Sequence, residues 1–208
     1  MRLSDSILEG ITAFLVKAVY HPKVYFETPE AECKKLPEPC IIVVNHTSHL
    51  DGPILNTMFH KNHLHTLAAK DRFEQKGFGF FLRHTGCVPI DRQNPDLTWV
   101  HTSLDILHRQ KENIVIFPEG RHGSHREQLP FHSGVIMLTA LAKVPIIMVY
   151  IDGPHHKFNQ RSRLMVSAPF NLPEGNAMSS EYITEQTEFL QELMKTLMNN
   201  FIKATEKK

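Results

Sequence analysis

Short apolar runs alternate along this chain with longer segments in which apolar residues recur at helical spacing. The predicted strands are continuous apolar runs at 40–44, 65–69, 85–89, 113–117 and 145–151, with a further candidate at 163–166. The predicted helices cover 52–60, 77–84, 96–109, 133–142 and 179–203. Strands that are apolar throughout are typical of a sheet covered by helices on both faces. The pattern therefore predicts an α/β fold with a mixed, mostly parallel sheet flanked by helices.

An amphipathic helix is predicted at the N-terminus, before this alternation begins. Its apolar residues recur at helical spacing, at Leu3, Ile7, Ile11, Phe14, Leu15 and Ala18. Such a helix either packs on the domain or lies in a membrane interface. Residues 27–39 are polar and proline-rich and predict a linker. We therefore divide the chain into an N-terminal helical segment, 1–26, and a single domain, 27–208.

Composition, charge and cysteine content limit the class of protein, but they do not indicate a function. The 208 residues carry a formal net charge of +1, which gives no reason to expect a nucleic-acid partner. No run approaches the roughly 18 apolar residues that a transmembrane helix needs, and Asp5 and Glu9 interrupt any signal-peptide pattern. Cys33, Cys40 and Cys87 lack metal or redox spacing, so free thiols in a reducing compartment are expected.

Positive charge is concentrated in residues 61–92, where lysine and arginine outnumber aspartate and glutamate. Such a patch would suit an anionic substrate or a lipid head group. Alternatively, these charges lie on an ordinary solvated helix face. The same region holds an aromatic cluster, Phe73, Phe78, Phe80, Phe81 and Leu82. It either packs in the core, lines a tunnel for an acyl chain or rests on a membrane.

The most specific chemical signal lies directly after the first apolar strand, where His46 is followed five residues later by Asp51. One turn of chain can bring this carboxylate to the imidazole. A carboxylate on Nδ1 fixes the tautomer and leaves Nε2 free to act as a base. The chain has no Gly-x-Ser-x-Gly nucleophile elbow, so the base can act on a hydroxyl of the substrate.

Four units of strand and polar turn follow in a fixed order: Asn45–Asp51, Gly86–Arg92, Ile114–Arg121 and Val144–Val149. In order and mutual spacing they resemble the motifs of the glycerolipid acyltransferase family, over roughly residues 40–150. The resemblance implies an O-acyltransferase. The acyl group would pass from acyl-CoA or acyl carrier protein, as co-substrate, to a hydroxyl of a lysophospholipid-type acceptor such as 1-acylglycerol 3-phosphate.

The resemblance also implies roles for single residues. His46 is expected to be the base and Asp51 its partner, Arg92 to contact the acceptor phosphate, and Lys70 to support it electrostatically. Glu119 and Gly120 belong to the turn that helps to bind the acceptor. The family pattern continues Gly-Thr-Arg-Ser, whereas this chain has Gly120-Arg121-His122-Gly123. Arg121 therefore cannot simply inherit the family role.

Two alternatives remain open at this stage. One is an acyl-thioester hydrolase, in which water replaces the acceptor, and the other is a non-catalytic lipid-binding relative. We expect no cofactor and no metal, because the clusters around His60 and His122 lack a recognised ligand pattern. Peripheral contact with the cytoplasmic face of a membrane is expected. The acceptor head group, acyl length, donor and oligomeric state stay undetermined.

Overall fold

A computed structural model of the protein describes residues 3–32, 35–92, 96–124, 126–153, 161–176 and 179–206, with side chains from residue 10 onward. The helices are α1 (Leu3–Tyr20), α2 (Asp51–Met58), α3 (Phe78–His84), α4 (Thr98–Asp105), α5 (Gly134–Ala142) and α6 (Ser180–Glu206). The strands are β1 (Lys23–Phe26), β2 (Ile41–Val44), β3 (Leu64–Ala69), β4 (Val88–Ile90), β5 (Asn113–Ile116), β6 (Ile146–Asp152) and β7 (Arg163–Val166).

All of these strands form one seven-stranded sheet in the order β1-β7-β6-β2-β5-β3-β4. The pairing is parallel except between β6 and β7, which are antiparallel. The predicted mixed, mostly parallel sheet is confirmed. Strand β2 lies between β6 and β5, so the chain that leaves it starts from the middle of the sheet.

The central strands are apolar throughout because both of their faces are buried. Alternate residues of β2 point to opposite sides: Ile41 and Val43 pack toward α4, α5 and α6, whereas Ile42 and Val44 pack toward α1 and α2. The helices thus form a layer on each side of the sheet. This is the arrangement that the continuous apolar runs predicted.

Some elements depart from the prediction. Strand β1 was not predicted at all: its short, partly exposed sequence, Lys23–Phe26, lacks the apolar run of a central strand. It pairs with β7 at the edge of the sheet, and helix α1 ends before it, at Tyr20. Strand β4 covers Val88–Ile90 and not 85–89, because residues 78–84 form α3 and a turn follows at Gly86.

Helix α1 lies on the domain, against α2 and α3. Its described apolar stripe faces outward: Phe14 is 71% exposed, and Ile11 and Leu15 are each 54% exposed. Among the described side chains of α1, Val16 is the buried one, and the predicted stripe did not include it. Within the described part of the chain, no helix is both long and apolar enough to span a membrane.

The parallel strands β2, β5, β3 and β4 all point the same way, so their carboxyl ends meet at one edge of the sheet. The polar turns predicted to carry the chemistry follow these strand ends. In open α/β sheets, this edge is where ligands bind. The fold therefore brings together motif residues that lie far apart in sequence, such as His46 and Glu119, which are 73 positions apart.

Candidate active site

His46 and Asp51 form the hydrogen-bonded pair that their spacing predicted. His46 Nδ1 lies 3.0 Å from Asp51 Oδ2. The Asp51 side chain is fully buried, whereas the His46 side chain is 19% exposed and lines a cavity. With Nδ1 bonded to the carboxylate, Nε2 is the ring nitrogen available as a proton acceptor.

Asp51 is held by the turn that it closes. Its Oδ2 accepts hydrogen bonds from the backbone N–H groups of Thr47, at 2.7 Å, and Ser48, at 2.9 Å. Its Oδ1 accepts from the Thr47 hydroxyl at 3.0 Å. Asp51 is also the first residue of α2, where the helix dipole favours negative charge. The carboxylate therefore has one fixed position from which to orient the imidazole.

The turn after β5 holds the backbone of His46 through two hydrogen bonds. Glu119 Oε2 accepts a hydrogen bond from the His46 backbone N–H at 3.3 Å, and the Gly123 N–H donates to the His46 carbonyl at 2.8 Å. Glu119 is only 3% exposed, and it lies behind the His-Asp pair instead of on the cavity wall. The expectation that Glu119 contacts the acceptor stays a prediction from the sequence resemblance.

Glu119 also has an unusual electrostatic environment. Burial raises the pKa of Glu119 to about 7, against the lowering effect of the backbone N–H groups of His46 and Leu129, while Asp51 and Glu127 add to the rise. Its Oε1 is buried and has no well-formed hydrogen bond to the described residues. A carboxyl group in this state sits close to half protonation at neutral pH.

Aromatic rings surround the His46 imidazole. Phe117 stacks on it with ring centroids 4.2 Å apart, and His122 meets it edge-on at 4.1 Å. His122 also meets His49 edge-on, at 4.3 Å. Partial burial, and then the neighbouring His46 and His49, lower the pKa of His122 to about 4, so that His122 is neutral at pH 7.

The cavity in front of His46 has a volume of about 730 Å³. Its interior is mainly apolar, and the aromatic cluster predicted for residues 73–82 contributes to it through Phe78, Phe81 and Leu82. Phe80 points outward instead, 54% exposed. Other apolar side chains of the wall come from the sheet and from α4 and α5, namely Leu67, Ile90, Trp99, Ile116 and Val135.

Cationic side chains also lie on this cavity wall. Arg92 and Arg121, both expected from the sequence, line the cavity, and Arg92 approaches Gly120. Lys70 does not line it: its side chain is 60% exposed and pairs with Asp91 at 2.9 Å. That ion pair raises the pKa of Lys70.

Gly120 has a positive φ of 65°, and a Cβ there would lie 2.9 Å from the His132 ring. Glycine is therefore required at this position on two grounds, its backbone conformation and the close approach of His132. The backbone of His132 is held in place, because its N–H donates to the Pro118 carbonyl at 2.8 Å. This hydrogen bond closes the loop from Pro118 to His132, and Arg92 lies beside Gly120 within it.

Sequence reasoning missed several residues of this site. Arg72, in the turn after β3, lines the cavity and acts electrostatically on His49 and His122. Its place at a strand end was a usable signal. Asn45 was quoted only as part of a motif, yet its side chain exchanges hydrogen bonds with the backbone of Ile151, at 2.7 and 3.0 Å.

The histidine and cysteine clusters give no metal site in the part of the chain that is described, where no group of three or more His, Cys, Asp or Glu side chains can hold an ion. His65 is occupied structurally, since its ring nitrogens lie 2.8 Å from the Gly86 carbonyl and 2.6 Å from Glu112. Cys87 forms no disulfide with the described residues, the Cys40 thiol lies 3.2 Å from Asn113 Oδ1, and Cys33 lies outside the described residues.

A paired histidine and carboxylate, an apolar cavity and arginines on its wall are what an enzyme needs to activate a hydroxyl beside an acyl chain. The Acyltransferase family profile matches residues 25–152. The chain belongs to this family, and it is an O-acyltransferase of lipid metabolism.

Individual relatives agree with this assignment. A 1-acyl-sn-glycerol-3-phosphate acyltransferase of Bacillus subtilis is 26% identical over 164 residues, which cover 76% of this chain and 81% of that protein. A protein of the same name from Streptococcus pneumoniae is 25% identical over 83% of this chain and 63% of its own length. A probable one from Mycoplasma pneumoniae is 31% identical over 68% of this chain and 54% of its own length.

The fold is shared with a solved structure. The crystal structure of the 1-acyl-sn-glycerophosphate (LPA) acyltransferase PlsC from Thermotoga maritima matches with a TM-score of 0.67 and 20% identity. The match covers 92% of this chain and 77% of that one. At this identity the likeness is one of fold.

The raised pKa of Glu119 predicts a specific loss of stability with pH. Because the folded-state pKa of about 7 exceeds the usual 4.5, Glu119 contributes most below pH 4.5, and its contribution is lost as pH rises through 7. The shift corresponds to about 3 kcal/mol at most. Glu119→Gln, which cannot ionise, should lose less unfolding free energy than the wild type between pH 5 and pH 8.

Denaturant unfolding at several pH values measures this difference. Glu188→Gln on α6 is the matched control, because Glu188 is exposed and its replacement should leave the pH dependence of the wild type intact. Parallel stability curves for Glu119→Gln and the wild type would show that Glu119 ionises normally in the folded protein.

Proposed function

We propose that this enzyme transfers a fatty acyl group from an acyl thioester, carried by CoA or acyl carrier protein, to the free hydroxyl of a 1-acylglycerol 3-phosphate-type acceptor. The observation that carries the proposal is the position of His46. Its ring, bonded to Asp51, lines an apolar cavity that also has arginines on its wall. Three relatives named as acyltransferases of this acceptor add support.

The chemistry needs only a base, because a thioester already has a good leaving group. His46 Nε2 takes the proton of the acceptor hydroxyl as its oxygen attacks the thioester carbonyl. Asp51 stabilises the imidazolium that forms. When the carbon–sulfur bond breaks, the imidazolium returns the proton to the departing thiolate. The products are the ester and the free thiol, with His46 neutral again.

The acceptor phosphate is assigned to the basic part of the wall. Arg92 lies beside Gly120 and His132, and Arg121 lines the same cavity. A guanidinium can hold two phosphate oxygens in a fixed geometry. Lys70, through its pair with Asp91, supports this region from outside the cavity. The apolar interior around Phe78, Phe81 and Trp99 is assigned to an acyl chain.

Peripheral membrane contact through α1 is part of the proposal. Ile11, Phe14 and Leu15 form an exposed apolar face on this helix, and basic Lys17 lies in its last turn. Exposed apolar side chains on an amphipathic helix favour insertion at the level of the lipid head groups. We assign this contact to the cytoplasmic face, because the spacing of Cys33, Cys40 and Cys87 in the sequence suits a reducing compartment.

Thiol release from acyl-CoA and from acyl carrier protein thioesters tests the reaction. The panel should contain 1-acylglycerol 3-phosphate, glycerol 3-phosphate, a lysolipid with a neutral head group and no acceptor. Release should depend on the acceptor and fall about 10²–10⁴-fold in His46→Ala, which lacks the base. His49→Ala should lose far less, since the Asp51 carboxylate is bonded to the ring of His46. Equal release without acceptor would indicate a hydrolase.

Acceptor selection should depend on Arg92. Removing one charge-assisted contact to phosphate costs about 1.5–3 kcal/mol, so Arg92→Ala should raise the KM for the phosphate acceptor roughly 10–100-fold. The KM for a lysolipid with a neutral head group should change little. Arg109→Ala is the control, because Arg109 is 84% exposed and pairs with Asp105 on another surface. An unchanged phosphate KM in Arg92→Ala would remove Arg92 from the acceptor site.

Membrane binding should depend on Phe14. Phe14→Glu places a charge on the exposed face of α1, and sedimentation with vesicles of phosphatidylglycerol and phosphatidylcholine should fall severalfold. Phe189→Glu changes another exposed phenylalanine, 44% exposed on α6, and should sediment like the wild type. Equal sedimentation of Phe14→Glu and the wild type would rule out α1 as the contact.

A further inference from the structure

We infer that Glu119 is a positioning residue for the catalytic base: its carboxyl oxygen fixes the backbone of His46, and it does not bind the acceptor. The inference deepens the proposed function and rests on His46 being the base of that reaction. The sequence resemblance had implied the opposite role, contact with the acceptor.

The first support is that both main-chain polar groups of His46 are held by one turn. Glu119 Oε2 receives the His46 N–H at 3.3 Å, and the His46 carbonyl receives the Gly123 N–H at 2.8 Å. Both partners belong to the segment that follows β5. The peptide groups on either side of the His46 Cα are thus locked to a neighbouring strand end, which sets the direction of the His46 side chain.

The second support is that the described residues around Glu119 separate it from the main cavity. It is 3% exposed, and the small cavity on its other side has a volume of about 10 Å³. Asn45, Tyr150, Met194 and Met198 are among the residues around that cavity. A space of this size holds about one water molecule, far less than a glycerol phosphate.

The third support is that the residue before His46 is fixed independently. The Asn45 side chain accepts from the Ile151 N–H at 2.7 Å and donates to the Ile151 carbonyl at 3.0 Å. This tie anchors the chain to β6, on the side away from β5. Glu119 supplies the hydrogen bond on the β5 side. The two residues that follow β2, Asn45 and His46, are therefore bonded to β6 on one side and to the turn after β5 on the other.

Precise placement matters because the base must meet the hydroxyl and Asp51 together. His46 Nδ1 has to stay 3.0 Å from Asp51 Oδ2 while Nε2 faces the cavity. A displacement of about 1 Å at a reacting group can cost about 100-fold in rate. The length of the Glu119 side chain is then the property that counts, and its charge is secondary.

A pair of substitutions separates length from charge. Glu119→Gln keeps the length and an oxygen that can accept the His46 N–H, but removes the charge. Glu119→Asp keeps the charge but shortens the side chain by one methylene, which moves the accepting oxygen away from the His46 N–H. Positioning predicts a kcat within about threefold of wild type for Glu119→Gln and a kcat about 10–100-fold lower for Glu119→Asp, as expected for a displaced base. The KM for the acceptor should stay unchanged in both.

A direct role in acceptor binding predicts the reverse order. Loss of the charge in Glu119→Gln would then raise the KM for the acceptor, and Glu119→Asp would be the milder change. That result would overturn the inference. Glu188→Asp is the matched control, because Glu188 is an exposed carboxylate on α6 and its replacement should leave both constants unchanged.

A second readout does not depend on acyl transfer. In ¹⁵N-histidine-labelled protein, the hydrogen-bonded Nδ1–H signal of His46 is identified by its absence in His46→Ala. It should persist in Glu119→Gln and shift or broaden in Glu119→Asp. If no acceptor is turned over by the wild type, the proposed function fails while this signal still decides the role of Glu119. An identical His46 signal in Glu119→Asp and the wild type would overturn the positioning role.

Discussion

The structure depends on a geometrical constraint: parallel strands deliver their following residues to the same edge of the sheet. Strand β2 lies between β6 and β5, and each neighbour contributes to the short segment that leaves it. Through Ile151, β6 pairs with Asn45, and through Glu119 the turn after β5 holds His46. Apolar burial on both faces keeps the three strands in register. His46 is therefore held from both neighbouring strands at the centre of the sheet.

Two carboxyl groups flank the same histidine, and they have different surroundings. Asp51 lies at the start of α2 and accepts hydrogen bonds from Thr47 and Ser48 as well as from the imidazole. Glu119 is buried beside one backbone N–H of that histidine and has an elevated pKa of about 7. The first carboxyl is bonded to the imidazole ring, and the second to the backbone N–H. Their distinct hydrogen bonds explain why two acids so close together are not redundant.

Much of this could be predicted from the sequence, because the strongest signals were local. The apolar run at 40–44 and the five-residue spacing from His46 to Asp51 both act over short distances, and the pairing of His46 with Asp51 is seen. Arg92 and Gly120 could be placed because they follow strands. Strand β1 could not, since its edge position leaves it partly exposed and without an apolar run.

Long-range packing decided what the sequence could not reveal. No local pattern shows that Glu119 points behind His46, because that direction depends on how the turn after β5 folds against β2. Packing also decided the outward direction of Phe14 and Leu15. The apolar stripe of an amphipathic helix can face the domain or the outside, and here the domain buries Val16 while the stripe faces outward. Arg72 was overlooked because the sequence analysis treated it as one charge of a basic stretch and not as a residue that follows a strand end.

The contact between α1 and α3 has a consequence for how the product departs. Helix α3 supplies Phe78 and Phe81 to the cavity wall, and α1, which contacts it, carries the exposed Phe14. In the proposed reaction the product carries one acyl chain more than the acceptor, and exposing these chains to water costs about 0.8 kcal/mol for each methylene. Release along this wall into a lipid layer would avoid that cost. The outer face of α1 would then affect the rate at which the cavity empties, and not the chemical step.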